Sequence, residues 1–423
     1  MGFIKRRVKG VNMAKRHPTK FLKEEYKQIQ KEGREWVHRK LETPSETKVK
    51  VDGQDLLMLC SNNYLNLANH PHLRKKAIEA VEKYGAGSGS VRAIAGNMAI
   101  HEEWEQKHAD FKEQEASIVW MSGFIANEGA IPPLVRKDDF IISDQLNHGS
   151  IIDGVRLTKT VRTIYDHVDM GSLEDRLREA DAADPNGEKR ILVISDGVFS
   201  MDGDMAPLDE IQKLSEEYGA MIFVDDAHGD GVLGRDKKGK GIVDHFGLQG
   251  KVQVEMNTYS KAMGVVGGAI VGSKHLINFL RNTGRSYLLS GSQPPAVAGA
   301  AIGSLELLDP KSEHFIPVVE KLLDNCDYFK NEIVNIGFNH EITAASAKCP
   351  TAIVPIICGE NEVAKKMSDR LKDEGIFALP ITFPMVPRGT ARIRVMMNAG
   401  LTKDDLDLAL GTFEKLGKEL EIF

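Results

Sequence analysis

Apolar, β-branched-rich runs recur through the middle of the chain at residues 116–121, 139–143, 190–195, 220–225, 252–257 and 268–272. Each is short and nearly continuous, as expected of strands buried on both faces. Helical spacing fills most of the gaps between them. That alternation predicts an α/β fold with a mostly parallel sheet covered by helices. Ligands in such sheets bind beyond the carboxyl ends of the strands. Asp144, Ser195-Asp196 and Asp225 all follow apolar runs, so they are expected to converge on one edge.

The flanks have other patterns. Residues 20–42 read as a charged amphipathic helix, Val49 to Cys60 as a hairpin around Asp52-Gly53, and His72 to Tyr84 as a helix stopped by Gly85. After Pro310 come a helix (313–336), a strand (351–357), a helix (361–374), strands near 376–380 and 390–396, and a last helix (402–420). The implied organisation is an N-terminal arm, helix and hairpin over 1–60, a large domain over 61–309 and a small α+β domain over 310–423.

Composition acts mainly by exclusion. With 42% hydrophobic and 27% charged residues among 423, the chain has an ordinary soluble balance. A net charge of −6 offers no case for a nucleic-acid or anionic-membrane partner. The four cysteines are scattered and form no CxxC, which points to a reduced, cytoplasmic protein. No apolar run reaches the length of a membrane span. Met1 to Lys20 is basic but lacks an apolar h-region, so it is not a secretory signal. It reads either as a basic arm or as extra translated sequence ahead of Met13.

The chemistry concentrates at strand ends. Lys261 follows the 252–257 run among Ser260, Ala262 and Gly264, where a planar group has room against the backbone. Alone, it is most simply a surface lysine in a Gly-rich turn. Asp225 and His228, at the end of the 220–225 run, change that reading. An acid, a histidine and a lysine on neighbouring strand ends form the layout of a pyridoxal-phosphate site. The amine can form an imine with the aldehyde, and the acid can hold the pyridine nitrogen protonated. His148 is a candidate to stack on the ring, or else a cap of the next helix. Ser122-Gly123-Phe124 offers backbone N–H groups at a helix start, which suit phosphate, and Thr258 and Ser260 add hydroxyls. Arg394 shares a strand face with Arg392, and one of them can clamp a carboxylate. Metal patterns are incomplete: His101-Glu102-Glu103 with His108 lacks the i,i+4 histidine pair, and Ser200 to Asp204 lacks the calcium-loop ligand series.

Several motifs occur in one order: Ser61-Asn62-Asn63-Tyr64-Leu65, Gly89-Ser90-Val91-Arg92, Ser122-Gly123-Phe124, Asn147-His148-Gly149-Ser150, Asp196-Gly197-Val198-Phe199-Ser200-Met201-Asp202-Gly203, Asp225-Asp226-Ala227-His228, Thr258-Tyr259-Ser260-Lys261 and Ala391-Arg392-Ile393-Arg394. From about residue 45 onward the chain resembles the α-oxoamine synthases, fold-type-I pyridoxal-phosphate enzymes. The resemblance implies that Lys261 tethers the cofactor and moves the substrate α-proton, with Asp225 on the pyridine nitrogen. It implies His228 and Ser200 at the ring hydroxyl, His148 on the ring face, and Gly123, Phe124 and Thr258 at the phosphate. It also implies Asn62 and Arg394 at the amino-acid carboxylate, and Ser290 and Gly291 reaching the phosphate across a homodimer interface. Gly291 offers only its backbone where the family often has a side chain.

The implied reaction condenses an amino acid with an acyl-CoA. Leu146 to Leu157 and Phe383 to Gly389 resemble the glycine C-acetyltransferase branch, so glycine and acetyl-CoA are the expected substrates. The alternatives are 8-amino-7-oxononanoate synthesis from alanine and pimeloyl-CoA, a serine palmitoyltransferase-like condensation, and a retro-aldol lyase activity on the same site. A non-catalytic dimer subunit is a further alternative, which the presence of Lys261 disfavours.

Overall fold

The computed structural model describes residues 18–32 and 34–423. The chain divides after Leu41 into two units. In the first, a helix spans Lys20–Lys31 and buries none of its residues. It stops well short of the expected 42 although Trp36, Val37 and Leu41 continue an apolar spacing in the sequence; these three are exposed, so the spacing marks no buried helix face there.

In the second unit the strands are β1 (Lys48–Val51), β2 (Gln54–Met58), β3 (Ala116–Trp120), β4 (Phe140–Asp144), β5 (Val161–Tyr165), β6 (Ile191–Asp196), β7 (Met221–Asp225), β8 (Val254–Thr258), β9 (Gly268–Gly272), β10 (Ile353–Gly359), β11 (Ile376–Phe377), β12 (Pro380–Ile381) and β13 (Ala391–Met396). Seven of them form one sheet in the order β3-β9-β8-β7-β6-β4-β5. From β8 through β5 every neighbouring pair is parallel; β9 runs antiparallel to both β3 and β8. The six expected runs all became strands of this sheet. The sequence reading missed β5, an edge strand that carries Arg162 and Thr163 and leaves Val161 and Ile164 exposed. It lacks the doubly buried apolar signature of its neighbours.

The hairpin β1–β2 turns at Asp52-Gly53 and pairs on its outer side with β11. The helix Pro71–Tyr84 ends at Gly85. β10, β13 and β12 form a three-stranded antiparallel sheet. The helices Val318–Ile336, Asn361–Asp373 and Lys403–Glu419 bury apolar faces around it. The first of these starts later than the expected 313, after Pro317. A short helix, Glu341–Ala347, was not foreseen; its small residues give no apolar stripe. Among the described residues no helix is long and apolar enough to cross a membrane.

Candidate active site

The parallel register sets the first half of the site. Asp225, the last residue of β7, pairs directly with Asp196, the last residue of β6. Both are buried. Asp225 Oδ2 accepts from Asn127 Nδ2 at 2.7 Å, and Oδ1 from the Ala227 N–H at 3.0 Å. Asn127 lies one turn into the helix Gly123–Leu134 and also donates to Ser150 Oγ at 2.9 Å. Asp196 Oδ2 accepts from the His148 N–H at 2.9 Å, while its own N–H donates to Asn147 Oδ1 at 2.7 Å. Burial and the adjacent Asp225 charge raise the Asp196 carboxyl well above the usual carboxylate range.

Lys261 stands in the turn between β8 and β9 and is half-buried. Burial draws its ammonium down to about 8, opposed by the Asp225 and Asp196 carboxylates and aided by Arg394. At that value about a tenth is free amine at neutral pH, far more than for an ordinary lysine, and this is the nucleophilic form. The turn is tightly held. A Cβ on Gly264, at φ +71°, would lie 2.6 Å from the Ala68 nitrogen, and one on Gly231, at φ +77°, 2.5 Å from Ala262 Cβ. Only glycine fits such approaches at positive φ.

The third part is the start of the helix Gly123–Leu134. Ser122 caps it, accepting from the Ile125 N–H at 3.3 Å. The N–H groups of Gly123 and Phe124, in the first turn, have no intrahelical acceptor and lie where anions are favoured. A Cβ on Gly123 would stand 3.1 Å from Thr258 Oγ1, so strand end and helix start meet. A Cβ on Gly268 would strike the Gly123 nitrogen at 2.5 Å.

The remaining expected residues surround these groups. His228 is buried, and Tyr64 OH lies 2.7 Å from its Nδ1. Burial and the Lys261 and Arg394 cations hold its imidazole neutral, well below the usual range. His148 is exposed and caps the helix Gly149–Arg156, accepting from the Ser150 N–H at 3.2 Å; the edge of its ring faces Phe124 at 6.3 Å. Capping and closeness to the site are therefore combined in one residue. Although the residue reaches solvent, protein packed around its ring desolvates the imidazole and lowers its pKa, opposed by Asp225 and aided by Lys261. Asn62 Oδ1 is buried and has no hydrogen-bond partner among the described residues. Arg394 Nη1 donates to Ser200 O at 3.0 Å and, among the described residues, pairs with no carboxylate. Arg392 instead forms an ion pair with Asp202 and donates to Met201 O at 2.9 Å. Among the described residues no hydrogen bond joins Ser290 or Gly291 to this group: Gly291 bridges to Val91, and Ser292 N–H donates to Ser90 O at 3.0 Å. Beside Ser200 is a cavity of about 370 Å³, lined mainly by apolar residues, including Leu146, Phe199, Met201, Ile342, Met385 and Val386.

Sequence reasoning assigned no role to Asn127 or Tyr64. Asn127 is a polar residue in an otherwise apolar helix, which marks it as buried with a partner; the partner needs the fold. Tyr64 lies in a quoted motif, but only the structure brings it to His228.

The model of the family described as aminotransferase class I and II matches residues 54–413. The 8-amino-7-oxononanoate synthase of Thermoanaerobacter pseudethanolicus is 46% identical over 97% of this chain and 100% of its own. The enzyme called 8-amino-7-oxononanoate synthase 1 in Bacillus subtilis is 46% identical over 95% of this chain and 98% of its own. Among solved structures, a serine palmitoyltransferase from S. paucimobilis, described with bound PLP and myriocin, superposes with a TM-score of 0.86 at 28% identity, over 96% of this chain and 98% of the other. The chain belongs to the class I and II aminotransferase family, in its α-oxoamine synthase group, and has the fold-type-I transferase fold. These relatives overturn the glycine C-acetyltransferase expectation: the full-length likeness is to synthases of a longer product. Leu146–Leu157 and Phe383–Gly389 suggested that branch, but they are short stretches of a chain whose whole length points elsewhere.

Proposed function

We propose that this protein makes 8-amino-7-oxononanoate by joining an amino acid to an acyl thioester with loss of carbon dioxide. The near end-to-end identity to synthases of that product carries the reading. The product name dictates the substrates. A carbanion attacking a thioester creates the bond between C7, a ketone, and C8, which bears the amine. C8 and C9 then derive from alanine after its carboxyl leaves, and C1 to C7 from a pimeloyl thioester. Alanine loses its α-proton, the new carbon–carbon bond forms, the thiol departs, carbon dioxide leaves and a proton returns. The apolar cavity beside Ser200 suits a methylene chain better than an acetyl group.

The donor set suits pyridoxal phosphate: an amine with a lowered pKa, a buried carboxylate fixed by two donors, and a helix start beside Thr258. Bound there, the cofactor supplies a protonated ring that takes up the electron pair left at the α-carbon. Lys261 tethers it and then carries the α-proton. Asp225 keeps the ring nitrogen protonated, and Asn127 keeps Asp225 aimed. In the tautomer where His228 Nδ1 accepts from the Tyr64 hydroxyl 2.7 Å away, the Nε2–H would be the one offered to the ring hydroxyl beside Ser200. His148 covers the ring. The amides of Gly123 and Phe124 and the Thr258 hydroxyl hold the phosphate. Asn62 and Arg394 take the alanine carboxylate. Ser290 and Gly291 act on the site of a second copy in a homodimer.

The test is a substrate matrix on the holoenzyme, reading thiol release and product mass. L-alanine with pimeloyl-CoA is expected to exceed glycine with acetyl-CoA by about 100-fold in kcat/KM. A preference for glycine with acetyl-CoA would sink the assignment.

A further inference from the structure

His167 lies outside the group just described, in the turn after β5. Its Nδ1 is 3.0 Å from Asp144 Oδ1 and its Nε2 2.9 Å from Asp204 Oδ2. Both partners are carboxylates. A neutral imidazole has one N–H, so its other nitrogen would turn a lone pair on an anion; only the imidazolium satisfies both contacts. The backbone is set to hold this ring. Val168, β-branched, sits at φ +49°, a costly conformation. Its N–H donates to Asp144 Oδ2 at 3.1 Å.

The two carboxylates belong to different parts of the site. Asp144 ends β4 and also accepts from the Leu146 N–H at 2.8 Å, at the start of the loop that carries His148. Asp204 closes the loop 198–205, with Phe199 N–H donating to its carbonyl at 3.0 Å. That loop reaches the small sheet. Ser200 O accepts from Arg394, Asp202 pairs with Arg392, and Gly203 O accepts from Thr351 Oγ1 at 2.6 Å. A Cβ on Gly203 would come within 2.8 Å of Ile353 O, so the loop is pressed against β10. Phe199 packs edge-on against the His167 ring, with centroids 4.3 Å apart.

We propose that His167 is a positioning residue: as an imidazolium clamped between Asp144 and Asp204, it fixes the 198–205 loop, and through Ser200 the guanidinium of Arg394, for capture of the amino-acid carboxylate. The proposal rests on the reading of Arg394 as the carboxylate clamp. Burial works against the charge, but the bonds to the two aspartates override it and bring the imidazole up to about 10. The other charged groups around the ring are Asp202 and Arg392 in one neighbouring cavity and Asp169 and Glu210 in the other. Because the folded pKa lies above the unfolded value of about 6.5, the clamp is fully formed below that pH and lost as pH rises through about 10.

The test titrates the holoenzyme with L-alanine alone, following the absorbance of the bound cofactor, between pH 7.5 and about 10.5. His167→Leu is expected to weaken alanine binding about tenfold at pH 8, with cofactor affinity unchanged. His167→Gln, with an uncharged amide donor, is expected to recover part of that loss and to show no further weakening through about pH 10. Equal alanine affinity in wild type and His167→Leu would overturn the proposal. So would a loss confined to melting temperature and cofactor binding. Alanine binding that depends on His167, in an enzyme that forms no carbon–carbon bond with a pimeloyl thioester, would sink the acyl reading and leave this one standing.

Discussion

Asp225 is held by two hydrogen bonds from its own sheet edge and covering helix, whereas Arg394, on the small sheet, hydrogen-bonds among the described residues to Ser200 O and the Met201 sulfur of the loop beyond that edge. The two regions are built for different tasks. At the carboxyl edge of the seven-stranded sheet, Asn127 links the buried Asp225 to Ser150, while Asp196, paired with Asp225 in register, donates its N–H to Asn147. Such a network holds geometry, and leaving it partly satisfied is costly. Arg394 has no carboxylate of its own among the described residues and keeps donors available. Its neighbour Arg392 spends its charge on Asp202. On the proposed reading of Arg394, the two arginines on one strand face divide a structural role from a binding one.

The largest expected effect tests the sheet edge. Lys261→Ala is expected to lower turnover on the order of 10⁴-fold and to abolish the absorbance of the covalently tethered cofactor, read by spectrophotometry. Asp225→Ala is expected to lower kcat by about 10³-fold while the fold survives in circular dichroism. The arginine contrast comes next. Arg394→Leu is expected to cost about 100-fold in kcat/KM for the amino acid with little change in melting temperature. Arg392→Leu strands Asp202 and is expected to cost about 3–5 kcal/mol of stability by denaturant titration. Equal stability losses in the two variants would erase the distinction. Asn127→Ala, which leaves Asp225 half-supported, is expected to reduce kcat about tenfold. The smallest effect is one of pH. Because the Lys261 pKa is depressed to about 8, its free amine grows as pH rises toward that value. The rate at which cofactor-free enzyme captures the aldehyde is expected to climb between pH 6 and about 8 and then level off, measured by stopped-flow absorbance.

The sheet was readable because its central strands are buried on both faces, which leaves apolar runs with no helical period. β5 escaped because an edge strand is selected for other properties, here Arg162 and Thr163. Asp225 stands out because a carboxylate ending a buried apolar run is expensive without a partner, whereas Lys261, in the turn after β8, reads as a surface lysine until Asp225 and His228 are set beside it. Asn127 and His167 were not readable, since each acts through a partner far away in sequence: Asp225 for the first, Asp204 for the second. The acyl partner was illegible for another reason. On the proposed reading, the motifs shared within the group serve the cofactor and the amino-acid carboxylate, whereas acyl chain length would be set by cavity walls such as Leu146, Ile342 and Met385, which come from segments far apart in sequence.

The antiparallel pair β8–β9 has one more implication. Thr258 ends the first strand, Gly268 begins the second against the Gly123 nitrogen, and Lys261 rides the link between them. On the proposed reading, tether and phosphate seat share one short mechanical piece. We expect the spacing between them to be carried along unchanged when the rest of the sheet flexes, so that a bound cofactor would shift as a unit instead of pulling against its covalent attachment.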